Sequence, residues 1–380
     1  MEKDKQTRIC RCRLNKRNIL FVLLSILAIY TLWRWYFPDP YHPNLTEKEK
    51  KVTTEMLANM QTRCVGRYLI DIPAAFGNII HDGIFIGEAT IETERLYPPE
   101  FKYRIESREQ ELKTMQYVKP KDMPFLKKVY RLQDNMEGVI FDRNEDTAVP
   151  GYARVLEAHL YSNGVAFTVT MKFMELSDDK YKEDRDFYIR NGFSERQYNE
   201  LYQTREKMNE LLSRISGRKD TEIPTVAGTC IPDGFIAGSH NERENIGFVY
   251  RGNKDENFKF SIEILNDLTG ESTLLERVDK IEKDLHANRG GIARKGKREV
   301  NGIHAEELLA IGLQPFDNSS RYQFELVANE TAGDYKNPYV SIMLKNYQLP
   351  PTPYTGDELI TFWDTVTSTF RKRPGAFESR

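Results

Sequence analysis

Apolar and polar residues alternate with a period of two through much of this chain, and the clearest run lies at 165–173. Val165, Phe167, Val169, Met171 and Phe173 alternate there with Ala166, Thr168, Thr170 and Lys172. The dipeptide Asn163-Gly164, which tolerates positive φ, stands just before them. The pattern predicts a hairpin over 152–173 with one buried face. Shorter runs predict strands at "RYLIDIP" (67–73), "GIFIGEATIET" (83–93), "FLKKVYRLQ" (125–133) and "GVIFDR" (138–143). Two stretches carry helical signals. "SREQELKTMQYV" (107–118) opens with Ser107 and Gln110 at capping-box spacing. Ser194 and Gln197 repeat that spacing, and Tyr198, Leu201, Tyr202, Met208, Leu212 and Ile215 follow as a stripe that Gly217 ends.

The same order then recurs. Residues 218–229 read as a linker. After it come the strands "CIPDGFIAG", "IGFVYRG" and "FKFSIEIL", and a helix over 270–289 carrying Leu274, Leu275, Val278, Ile281 and Leu285. "GIARKGKREV" and "IHAEELLA" flank an Asn301-Gly302 turn, "RYQFELVA" and "YVSIMLK" follow, and Thr355 with Glu358 caps a last helix. Cys64 and Cys230 are 166 positions apart, Gly138 and Gly302 164, and Ser194 and Thr355 161. Near-constant spacing of three unlike features predicts an internal duplication. The fold class is α+β: two similar domains, 51–217 and 230–373, each an antiparallel sheet with helices on one face.

Ahead of this body, residues 19–37, "ILFVLLSILAIYTLWRWYF", are apolar except for Arg34. As a helix they span roughly 28 Å, one hydrocarbon core. Residues 1–18 form a basic tail, which predicts a cytoplasmic N terminus, a single-pass membrane anchor, and an exported body behind a proline-bearing stem (38–50). No small-residue cleavage site follows the apolar run, so the anchor is expected to be retained.

The net charge of −2 conceals an asymmetry. Seven basic groups crowd positions 1–17, whereas the chain after position 37 holds 47 basic and 55 acidic side chains, a net of −8. An acidic body argues against nucleic-acid binding. Of the four cysteines, Cys10 and Cys12 sit in the tail. Cys64 and Cys230 are exported and form either a disulfide or two buried thiols.

No set of residues announces catalysis, a metal or a cofactor. "GIARKGKR" (291–298) has phosphate-loop glycines, but Arg298 replaces the Ser or Thr and the flanking elements come in the wrong order. The six histidines are scattered, and His81-Asp82 is the one base-and-acid pair of note. Asp184-x-Asp186 has the spacing of a sugar-nucleotide transferase, although Lys180, Lys182 and Arg185 interleave it. A type II membrane glycosyltransferase is therefore the alternative class, and loss of turnover on changing either aspartate would mark it.

"CVGRYLIDIPAAF" behind an N-terminal anchor, followed by "CIPDGFIAG" opening a second half, resembles the periplasmic immunity proteins cognate to the fourth family of type VI secretion lipase effectors. The likeness covers roughly residues 50 to 373. It implies a non-enzymatic inhibitor whose two related domains grip a phospholipase, hindering its lid and the entry of substrate. The partners expected are that effector and, through the anchor, the inner membrane. Loops at the junction of the halves, including the charged run around Asp178, Asp179 and Asp184, are the candidate contacts.

Overall fold

The structure is a computed structural model and describes residues 41–132, 136–239, 241–252 and 257–377. The proposed basic tail and the apolar segment 19–37 lie outside the described residues. Among those described, no helix is long and apolar enough to cross a membrane. Contacts divide the chain into Met1–His42, of which only the last two residues are described, and Pro43–Arg380, which holds every element below.

Helix α1 (Glu47–Met56) begins inside the stem. Thr46 caps it, with Glu49 N donating to Thr46 Oγ1 (3.3 Å) and Thr46 N to Glu49 Oε2 (2.8 Å). The first half then runs through β1 (Met60–Val65), β2 (Tyr68–Pro73), β3 (Gly77–Asn78), β4 (Ile84–Ile86), β5 (Ala89–Arg95), α2 (Pro98–Thr114), β6 (Leu126–Arg131), β7 (Glu137–Asn144), β8 (Ala153–Ser162) and β9 (Val165–Met174). Helices α3 (Lys182–Arg190), α4 (Glu195–Tyr198) and α5 (Leu201–Arg214) lead to β10 (Ile215–Gly217). The second half has β11 (Gly228–Ile231), β12 (Gly234–Ala237), β13 (Glu244–Arg251), β14 (Lys259–Leu265), α6 (Val278–Ala287), β15 (Gly291–Val300), β16 (Ile303–Leu313), β17 (Ser320–Ala328), β18 (Tyr339–Lys345), α7 (Gly356–Thr367) and β19 (Arg371–Lys372).

Strand order carries the duplication. Read outward from the junction, the first half is β4-β5-β9-β8-β7-β6 and the second is β13-β14-β18-β17-β16-β15. Each strand thus sits where its counterpart sits. β4 pairs with β13 (Phe85 opposite Asn245), which fuses the two sheets into one continuous antiparallel sheet.

The first hairpins are exchanged between halves. β1–β2 takes its third strand from β19, at the end of the second half, with Arg371 opposite Leu69. β11–β12 takes its third strand from β10, at the end of the first, with Ser216 opposite Phe235. Leu69 and Phe235 are 166 positions apart, the spacing of the cysteines, so the two exchanges share one register. Tyr68 stacks on Phe370 at 4.9 Å across the first of them. Gly66 turns β1 into β2 with φ +55°, and a Cβ there would lie 2.7 Å from Ile264 Cδ1 in the other half. One hydrophobic core accordingly runs through both halves, from Phe167 to Phe324 and Trp363.

The expectation of helices on one face is corrected. Leu156, Leu160 and Phe167 face the core shared with α5 and α7, but Val139 and Phe141 pack with Leu112 of α2 in a separate cluster. Leu308, Ala310 and Val327 likewise pack with Val278, Ile281 and Leu285 of α6. Val139, Ile140 and Phe141 are buried consecutively, the mark of a strand covered on both sides. Over the centre of the sheet the outer face is open, as β13 alternates buried and half-buried residues along its whole length.

Several boundaries moved for local reasons. α2 starts at Pro98, not Ser107, because proline suits the first turn and Glu100 reaches back to Tyr97 N (3.2 Å). The helix expected from Ser194 breaks at Asn199-Glu200. Asn199 Oδ1 accepts from Leu176 N (3.2 Å) and Glu200 Oε2 from Met174 N (2.8 Å), tying the chain to the end of β9. Ser194 therefore caps only one turn, and Tyr202 is 70% exposed while Leu211 is buried. The helix expected over 270–289 is confined to Val278–Ala287. Residues 218–229 are not a loose linker, for Arg218 is buried and β11 begins at Gly228.

Candidate partner-binding surface

The centre of the unit is a lock. Cys64 and Cys230 are joined by a disulfide, Cα to Cα 5.8 Å, and both are fully buried. Gly66 N donates to Cys230 O (3.0 Å) and Cys230 N to Gly66 O (2.8 Å), so the two hairpins also bridge through their backbones. Arg218 fills the space beside them, donating from Nη2 to Cys64 O (3.0 Å) and from Nε to Gly234 O (2.9 Å). Arg67 Nη2 meets Glu244 Oε1 of the other half at 2.5 Å. These groups fix the halves to each other.

The residues flagged for chemistry serve the structure. His81 does not pair with Asp82. Its Nδ1 lies 3.0 Å from Asp233 Oδ2 across the halves, and Arg95 Nη2 holds Asp233 Oδ1 at 2.7 Å. The Asp233 contact pushes the imidazole pKa up. Asp186 lies on α3 with Lys182 Nζ 2.6 Å away, four residues earlier, as in a surface helix pair. "GIARKGKR" forms β15, paired along its length with β16. Glu157 is a buried acid held by three basic side chains. Burial pushes its pKa up, but Arg108, His159 and Arg143 outweigh that and hold it well below the usual range. It joins α2 to the sheet. Among the described residues no three His, Cys, Asp or Glu side chains are grouped to hold a metal.

The acidic run does not lie at the junction of the halves. It belongs to an excursion of the first half, residues 175–200, between β9 and α5. The matching link between β18 and α7 is only residues 346–355. Asp178 caps a short turn by accepting from Lys180 N (3.0 Å), Asp179 is fully exposed, and Asp184 is half-buried on α3. The excursion is anchored from below by Tyr181, whose hydroxyl donates to Asp122 Oδ1 (2.7 Å), and by Tyr152 against Tyr181 and Tyr188. Its outer side exposes Phe187 (56%), Ile189 (50%) and Phe193 (43%). Three large apolar side chains held out beside exposed carboxylates, on a rigidly footed segment, resemble the apolar anchors and polar rim of a protein interface.

The model of the Tle cognate immunity protein 4 N-terminal domain matches residues 61–218, and that of the C-terminal domain matches 222–375. The chain belongs to the Tle cognate immunity protein 4 family. Among solved structures it is similar to the apo immunity protein TplEi of the type VI secretion system (T6SS) from Pseudomonas aeruginosa, at 20% identity and TM-score 0.65 over 84% of this chain and 99% of that one. A Tle4–Tli4 complex gives the same values. TplEi complexed with an "L" peptide follows at 21% identity and TM-score 0.61, over 83% of this chain and 99% of that one. At such identities the likeness speaks to the fold. No curated protein matches the sequence.

In this member of the Tle cognate immunity protein 4 family, sequence reasoning missed two groups of residues. Arg218 sits in the segment that read as a linker and Arg373 at the last position of the expected second domain, and only their equal placement after two helices could have flagged them. Phe187, Ile189 and Phe193 were hidden in a charged stretch. Their signal was apolar residues among charged ones, Phe187 and Ile189 on a short helix none of whose residues is buried and Phe193 just beyond it.

Proposed function

We propose that this protein is an immunity protein that binds a type VI secretion lipase effector in the periplasm and inhibits it, protecting the cell that makes it. The observation that carries this reading is the match of both family models, in order, to the two halves. Inhibition of this kind needs a stoichiometric complex and no turnover. The apolar segment 19–37 holds the protein in the inner membrane, and the body works on the far side, where an oxidising compartment suits the Cys64–Cys230 bond. The domains proposed are 51–217 and 230–373 around the segment 218–229.

The excursion is the proposed contact, with Phe187, Ile189 and Phe193 as apolar anchors and Asp178, Asp179 and Asp184 steering a basic face of the lipase. An inhibitor of this kind should bury more than about 1,600 Å² and bind at nanomolar strength, near −12 kcal/mol. With a body of net −8, association should slow as salt rises. The test deletes the gene in cells facing the cognate lipase and restores it whole or with residues 1–37 replaced by a cleavable export signal. Purified 38–380 is also added to the lipase at equimolar dose. Protection and full inhibition are expected. Deleted cells that survive like the parent, together with unaltered lipase activity, would sink the proposal. A Phe187→Ala/Phe193→Ala variant should weaken binding about tenfold or more without lowering the melting temperature. If it inhibits like the parent, the contact lies elsewhere.

A further inference from the structure

Arg218 and Arg373 occupy equivalent corners. Each directly follows an exchanged strand. Arg218 N donates to Asp233 O and Arg373 N to Arg67 O, both at 3.0 Å, and these two acceptors are 166 positions apart like the cysteines. Both side chains are buried, at 5% and 2% exposure, and both donate to loop carbonyls. For Arg373 these are Pro224 O (2.7 Å), Val226 O (2.9 Å) and Gly228 O (2.6 Å).

The corners differ in countercharge. Arg218 has Asp220 Oδ1 at 3.9 Å, and Asp220 also faces Arg63 at 3.3 Å. Arg373 has no carboxylate at ion-pair distance among the described residues, and its Nε has no acceptor. Glu244, which meets the neighbouring Arg67, is engaged by it. Burial, with Arg67 and Arg218 as cationic neighbours, pushes the Arg373 pKa down to about 10. A buried cation left without an anion is costly.

Arg373, though itself 2% exposed, also lines a cavity of about 910 Å³ walled by Leu69, Ile223, Pro224, Val226, Ala237 and Pro374. That volume lies within the range of small-molecule sites, and apolar walls with one placed charge are their usual chemistry. The geometry points to a binding site for an amphipathic carboxylate, a medium-chain fatty acid, with its head on Arg373 and its alkyl chain along the apolar walls. The ligand's carboxylate does for Arg373 what Asp220 does for Arg218.

The test uses residues 38–380, which contain the whole core and the disulfide. Isothermal calorimetry with decanoate, below its self-association concentration, should give one site. Affinity should rise up to about fourfold for each added methylene from octanoate to dodecanoate. Decanol, with the same chain and no charge, should bind at least tenfold more weakly. Val226 is 55% exposed at the edge of the cavity, so Val226→Trp should fold with an unchanged melting temperature and lose at least tenfold in decanoate affinity. Arg373→Gln, where its circular dichroism matches the parent, should lose the preference for acid over alcohol. No decanoate binding, equal binding of decanol, or undiminished binding by Val226→Trp would each overturn the site.

Discussion

Replacing both Cys64 and Cys230 by alanine should remove a large share of the stability of the body while leaving its fold in place. The bond closes a loop with a sequence separation of 166. On chain entropy a loop of that length restricts the unfolded chain by about 5 kcal/mol. The native contacts around it do not depend on sulfur. Gly66 and Cys230 still exchange two backbone hydrogen bonds, and Arg218 still reaches Cys64 O. Alanine is chosen over serine because both sites are fully buried, and a hydroxyl there would need a partner. For a body of this size an m-value of about 3 kcal/mol/M in urea is reasonable, so the midpoint should fall by roughly 1.5–2 M. The assay is equilibrium urea denaturation of 38–380 followed by tryptophan fluorescence and far-UV circular dichroism. The double-alanine variant is compared with the oxidised parent and with the parent under reductant. Reduced parent and variant should nearly coincide, and both should show a larger m-value, because the open chain exposes more surface when unfolded. Mass spectrometry must first establish that the parent is oxidised. If it is, and the midpoint moves by less than about 0.3 M, the bond is not what limits the unfolded chain and the entropy argument fails.

Phe167→Ala and Phe324→Ala each remove a fully buried ring from one half of a common core, so each should cost about 3–5 kcal/mol. A single cooperative transition is expected for both variants, and two separated transitions would refute the common core. His81 contributes a pH-dependent term. Its pKa is raised by Asp233, so the extra stability over a His81→Gln variant is fully present below about pH 6.5 and is lost as pH rises through the raised value. A difference between the two proteins that grows from pH 6 to pH 9 would contradict that sign.

Much of the sheet was legible because its signals are local. Asn163-Gly164 and Asn301-Gly302 both form turns with positive φ, at 48° and 81° and at 48° and 78°. The alternation at 165–173 and 321–328 placed Phe167 and Phe324 on the buried face. Thr355 and Glu358 form a capping box in the structure. What escaped is non-local. Val139 and Phe141 looked like ordinary strand residues until α2 covered them. Ser107 and Gln110 had the spacing of a cap but sit inside α2, where Pro98 and Glu100 had already started the helix. The excursion was misplaced because spacing between cysteines does not reveal that one link is longer than its counterpart.

The exchanged hairpins explain why a duplicated chain need not behave as two independent arms. In a simple tandem repeat each half would keep its own first hairpin against its own last strand. Here β2 needs β19 and β12 needs β10, so each half completes the other. Removing the second half would leave Tyr68 and Leu69 without their partner strand and Gly66 without the backbone of Cys230. Neither half alone can therefore hide its core, and the disulfide joins positions that the exchange has already brought together. Equivalent residues of two repeats meet only near the pseudo-twofold axis, and Cys64 and Cys230 meet there. Such a rigid centre suits a binding protein, since a surface carried on it meets a partner preorganised and less ordering entropy opposes association.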